Sequence, residues 1–131
     1  MTRERCRRGD DRGVSVLVVA IVMPAVLFLL MLSVQAGMFW HARQRADAAA
    51  ARAAAAAALQ GGTASDGQNA ADNFLAGARL DNAAVTVTLD ADQAQATVTG
   101  TAPALVPGVV WEVHASAAAA VERFIPETER Q

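Results

Sequence analysis

Between Val14 and Trp40 the chain reads VSVLVVAIVMPAVLFLLMLSVQAGMFW, 27 residues without one charged side chain. A helix needs roughly 20 apolar residues to cross the hydrocarbon core of a bilayer. It also satisfies every backbone N–H and C=O within its own segment, as lipid requires. The run therefore reads as a membrane helix, and it divides the chain into four parts. These are an arginine-rich head or leader at 1–13, a span at 14–40, an alanine-rich stalk helix at 41–59 and a small α+β domain at 60–131.

The flanks give an orientation. Arg3, Arg5, Arg7, Arg8 and Arg12 precede the run, and Arg43, Arg45 and Arg52 follow it. Basic residues near a span stay on the cytoplasmic side, while acids count little. The expectation is a single-pass protein of the cell membrane with its N-terminus cytoplasmic and its C-terminal domain extracytoplasmic.

Charge separates the same parts. The head carries five arginines against three acids, and residues 14–59 carry three against one. Residues 60–131 carry three arginines against nine acids, a balance of −6. An outer domain of that sign is no nucleic-acid binder. Cys6 is the single cysteine, so no disulfide within the chain holds the domain. With about 70 residues it sits near the lower size limit for an independent core, and it is expected to lean on the helix that carries it.

The helical signal continues past the membrane edge. HARQRADAAAARAAAAAAL, from His41 to Leu59, is rich in the best helix former and free of proline and glycine. Gly61-Gly62 supplies the stop. Alanine buries little area but lets another element approach closely. Arg43, Arg45, Asp47 and Arg52 are few and leave one flank uncharged, so this half reads as a stalk packed against other elements. After a flexible link, Ser65 and Gln68 have capping-box spacing. They point to a short helix over about 66–77 that places Ala70, Phe74 and Leu75 on one face.

From Ala84 the period changes to two. Val85, Val87 and Leu89 alternate with Thr86, Thr88 and Asp90. Residues 91–93 read as a turn, after which Ala94, Ala96 and Val98 alternate with polar neighbours, a β-hairpin pattern. Pro103 and Pro107-Gly108 mark a loop, and a third alternating run extends from Val109 to Arg123. The fold class is α+β, a long N-terminal membrane and stalk helix, a short second helix, and a three-stranded antiparallel sheet packed on the stalk. Val85, Val87, Leu89, Val98, Trp111 and Val113 are expected to form its apolar face, with Trp111 the largest core side chain.

The order of these parts resembles the TadE-like family, pilin-like components of tight-adherence (Flp) pilus systems related to type IVb pilins. The features that carry the resemblance are Arg12-Gly13, the apolar run containing Pro24, the aromatic pair Phe39-Trp40, the basic alanine-rich helix, and the ending VWEVHASAAAAVERF. The resemblance implies a pilin-like minor subunit or assembly factor. It would act by membrane anchoring and protein–protein assembly, with membrane lipid, other pilus proteins and a prepilin peptidase as partners. It also implies a processing site at Gly13 and Val14. The chain departs from the pilin pattern in one respect: the fifth residue after Gly13 is Val18, where pilins usually carry glutamate.

Catalytic chemistry finds no constellation in this sequence, and no enzyme activity, cofactor or metal is expected. Phe39, Trp40 and His41 read as anchors at the membrane interface, and His114 as a solvated residue on the polar face of a strand. Asp90 and Asp92 flank a turn, where aspartate makes local hydrogen bonds. Ser33 and Gln35 have either a neighbouring helix or their own helix as hydrogen-bond partner. Val34-Gln35-Ala36 resembles a signal-peptidase site, which supports an alternative, a secreted or bitopic envelope protein whose outer domain binds a ligand or partner.

Overall fold

The computed structural model describes residues 11–78, 80–105 and 108–121, with side chains from residue 16 onward. Expectations for Cys6 and the rest of residues 1–10, for Pro107 in the loop, and for the tail beyond Val121 lie outside these residues. The elements are α1 (Asp11–Ala58), α2 (Ala64–Leu75), β1 (Asp81–Leu89), β2 (Gln93–Ala102) and β3 (Trp111–Ala120). The strands form one antiparallel sheet in the order β1-β2-β3. This is the expected α+β architecture. The chain divides into two compact units after Val34.

In the first unit, α1 is apolar on all sides. Val16, Leu17, Ile21, Leu27, Phe28 and Leu29 all stand exposed. Pro24 lies inside α1 without ending it. Among the described residues α1 is the helix long and apolar enough to cross a membrane. Leucine, isoleucine and phenylalanine exposed along a whole helix have no reason to face water.

The second unit has a core of unusually small side chains. The stripe from Ala42 to Ala58 on α1 is buried, and it joins one cluster with Ala71 and Leu75 of α2 and Val87, Ala96, Val98 and Val113 of the sheet. Val98 and Val113 are the largest side chains wholly inside. Along β2, burial alternates strictly through Ala94, Ala96, Val98, Gly100 and Ala102, the pattern of a sheet with one covered and one solvated face. Alanine on the helix permits a close approach of layers, and alanine on the sheet repeats that choice from the other side.

Several local expectations are corrected. The helix α2 starts at Ala64, capped by Thr63 in place of Ser65. Its capping box pairs Thr63 with Asp66, so the carboxylate displaces Gln68 from that role. The buried residues of α2 are Gly67, Ala71 and Leu75, a strict four-residue spacing, in place of Ala70 and Phe74. Gly67 explains the change of face. A Cβ built there would lie 2.6 Å from the Ala53 carbonyl oxygen and 3.2 Å from Val87 Cγ1, so only glycine lets α2 come this near to both layers.

The third correction concerns Trp111. It opens β3 with 42% of its surface exposed, and Leu89 at the hairpin end is 41% exposed. The sheet face centres on Val87, Val98 and Val113, the middle of each strand, while the larger side chains fall at its ends. β1 also begins three residues earlier than the alternation indicated. Its pairing slips between Asp81 and Ala84, with Asn82 at φ 51°, a bulge that a plain period-two pattern does not reveal. β3 is shorter than the alternating run, ending at Ala120.

Candidate functional site

One group of side chains with specific polar and aromatic contacts gathers where α1 meets the β2–β3 connection. Gln35 is 6% exposed and sits one position after the first unit ends. Its Nε2 donates to the Pro103 carbonyl at 3.4 Å, and its Oε1 accepts from the Leu105 backbone N–H at 2.8 Å. A buried amide stays only where both ends find partners. The loop after β2 supplies them, so neither option weighed for Gln35 in the sequence describes its role. Ser33 takes the local option, its hydroxyl donating to the Leu29 carbonyl at 2.9 Å.

One helical turn after Gln35, Phe39 packs against Trp111 with ring centroids 5.7 Å apart and planes inclined at 53°. Positions four apart share a helix face, so one face of α1 holds both ends of the β2–β3 connection. Its neighbour Trp40 stands exposed. His41 is exposed as well, and its Nε2 accepts a hydrogen bond from Arg45 Nε at 3.1 Å. Arg45 also donates to the Gly77 carbonyl at 3.5 Å, reaching the turn after α2. An open cleft of about 330 Å³ lies here, lined by Met38, His41, Ala42, Arg45, Gly77 and Pro103.

Further along, Arg52 lies over the face of Phe74, its guanidinium carbon 3.9 Å from the ring centroid. This cation–π contact covers part of the half-buried Phe74 ring. The stalk's Arg52 is exposed and covers an aromatic ring while its charge stays in water.

At the cap of α2, Thr63 Oγ1 donates to Asp66 Oδ2 at 2.6 Å, and the Thr63 backbone N–H donates to the same oxygen at 2.9 Å. The hydroxyl bond and then the backbone bond hold the Asp66 carboxyl below its ordinary pKa. This arrangement is structural: it satisfies donors at the start of the helix.

The remaining candidates are scattered. Gly13 and Val14 fall in the α1 backbone near its start. His114 Nε2 lies 3.7 Å from Glu112 Oε2 on the exposed face of β3. Asp90 and Asp92 belong to the hairpin turn, where the Asp90 N–H bonds the Gln93 carbonyl and the Asp92 carbonyl accepts from Val121. Among the described residues, no three histidine, cysteine, aspartate or glutamate side chains stand close enough to hold a metal ion.

Comparison with known protein families gives a match over part of the chain. The family described as TadE-like protein matches residues 13–56, which is α1 from near its start almost to its end. No curated protein and no solved structure shows a significant match. The resemblance read from the order of parts is thus matched by the family model, over the apolar run and the alanine-rich stalk.

Proposed function

We propose that the chain is a pilin-like component of a tight-adherence pilus system, held in the membrane by the first part of α1 and acting through assembly with other pilus proteins. The observation that carries this reading is the overlap of the TadE-like match with an α1 that wears two surfaces. Its first unit exposes large apolar side chains suited to lipid or to neighbouring helices, and its later part hides a stripe of alanine under a small sheet. The chain performs no chemistry in this reading. Its role is minor subunit or assembly factor, because Val18 stands where pilins usually use glutamate to pair with a neighbouring subunit. A prepilin peptidase acting between Gly13 and Val14 would free the helix for that assembly.

The secreted alternative requires a cut after Ala36. That cut would remove Gln35, whose amide holds Pro103 and Leu105 in the outer domain. Losing a buried hydrogen-bonding partner costs about 1–3 kcal/mol, so the domain is built to keep the residue that such cleavage discards.

The test is deletion of the coding sequence in the cell of origin, followed by electron microscopy of surface pili and complementation in trans. Loss of pili restored by the full chain supports the reading. Unaltered pili would remove it.

A further inference from the structure

Among the described residues between 35 and 121, seven large apolar side chains stand exposed. Two lie far apart from the rest, Leu59 after the end of α1 and Leu89 at the hairpin. The other five are Trp40, Leu105, Val109, Val110 and Trp111, with Val110 70% and Trp40 66% exposed. The connection that carries four of them is tied to α1 twice, by Leu105 on Gln35 and by Trp111 on Phe39. An acidic domain whose exposed large apolar groups concentrate at one end has a specific surface there.

We infer that this end of the domain, the Leu105 and Val109–Trp111 segments together with Trp40, rests in the headgroup layer of the bilayer. The inference depends on the membrane span proposed above, and chain continuity supplies its geometry. If the part of the 14–40 run that lies in the first unit, residues 14–34, crosses the hydrocarbon core, it gives about 31 Å of helix at 1.5 Å per residue, which matches a core of about 30 Å. Gln35 then follows the span directly, and Phe39 lies about 6 Å further along the helix axis. The headgroup region on each side is about 5–8 Å thick. Both fastening points of the loop therefore fall within that layer. Tryptophan favours this depth because its ring is apolar and its N–H is polar. Arg43 and Arg45, one turn later, lie where phosphate groups are within reach of long basic side chains.

The experiment uses the full chain in phosphatidylcholine nanodiscs and the intrinsic fluorescence of its two tryptophans. In the Trp40→Phe variant, Trp111 reports alone, and in Trp111→Phe, Trp40 reports alone. Lipids carrying a nitroxide at the headgroup are compared with lipids carrying it near the acyl end. The expected result is loss of Trp111 emission with the headgroup label and little loss with the deep label. Val110→Asp should reduce that quenching and shift Trp111 emission to the red, whereas Leu89→Asp should leave it unchanged. Quenching of Trp40 without quenching of Trp111 would overturn the inference while the span reading stands. No quenching of either removes the span reading and the inference with it. A blue-shifted Trp111 that depends on protein-to-lipid ratio, and escapes both labels, would place a second copy of the chain on this surface and overturn the inference as well.

Discussion

The Phe39 ring of α1 and the Trp111 ring at the start of β3 meet in a tilted pair, 5.7 Å between centroids. The contact joins the stalk to the sheet at the end where alanine packing gives out. Such a pair contributes about 0.5–1.5 kcal/mol beyond its buried area. Because Trp111 keeps 42% of its surface exposed, Trp111→Ala should cost about 1–2 kcal/mol, less than a fully buried tryptophan. A double-mutant cycle with Phe39→Ala, followed by chemical denaturation in micelles, should show coupling of about 1 kcal/mol. Strict additivity would mean that the two rings are merely neighbours.

Gly67→Ala sets two effects against each other. Alanine inside a helix is favoured over glycine by about 1 kcal/mol. The new methyl, however, would lie 2.6 Å from a backbone oxygen of α1, which has no side-chain rotation to yield with. Overpacking of this kind costs about 1–3 kcal/mol, so the expected outcome is net destabilisation and a lower Tm by circular dichroism. A higher Tm would show that α2 does not need its close seat on α1.

The Thr63–Asp66 capping box gives a pH dependence of known sign. The folded pKa of Asp66 lies below the unfolded value, so its stabilisation is fully present above about pH 4, the ordinary aspartate range. It is lost as pH falls through the lower folded value. Asp66→Asn should therefore melt below the parent at neutral pH, and the gap should close progressively below about pH 4. Thr63→Ala should cost about 1 kcal/mol at neutral pH. A gap between the parent and Asp66→Asn that stays constant down to pH 2 would contradict the assignment.

Gln35→Leu removes the acceptor for the Leu105 N–H and the donor for the Pro103 carbonyl. Hydrogen exchange at the Leu105 amide should speed up markedly, while amides at the centre of β2 remain protected. Equal exchange in both forms would mean that the loop is held by other groups.

Processing and topology are read by mass spectrometry and labelling. Prepilin-type cleavage predicts mature protein beginning at Val14, without Cys6. A start at Gly37 would instead mark a secreted protein. Where the head is retained, a membrane-impermeant thiol reagent should leave Cys6 unlabelled in intact cells, and ready labelling would reverse the orientation.

Much of this architecture was written in periodicities. The shift from an apolar helix to alanine and then to a period of two located α1 and the three strands, because those patterns reflect burial directly. Contacts that depend on shape were not legible. Gly67 carries no hydrophobic signal, yet it sets the face of α2. Ser65 and Gln68 have capping-box spacing in the sequence, whereas the structure caps α2 with Thr63 and the shorter Asp66. Trp111 shares parity with Val113, and parity says nothing about distance from the end of a sheet. Gln35 was hidden inside an apolar run, and the partners of its amide lie 68 and 70 positions away.

The alanine stripe of α1 has a consequence for position along the helix axis. A row of identical methyl groups offers the sheet no notch that differs from the one a turn away, about 5.4 Å along. Sliding by a turn through the middle of that stripe would replace one alanine by another and leave the enclosed volume nearly the same. The axial setting is therefore stored in a few fasteners, the Gln35 amide, the Phe39 ring and the seat of Gly67 on Ala53. Substitutions at those points would alter where the stalk stops more than whether it packs.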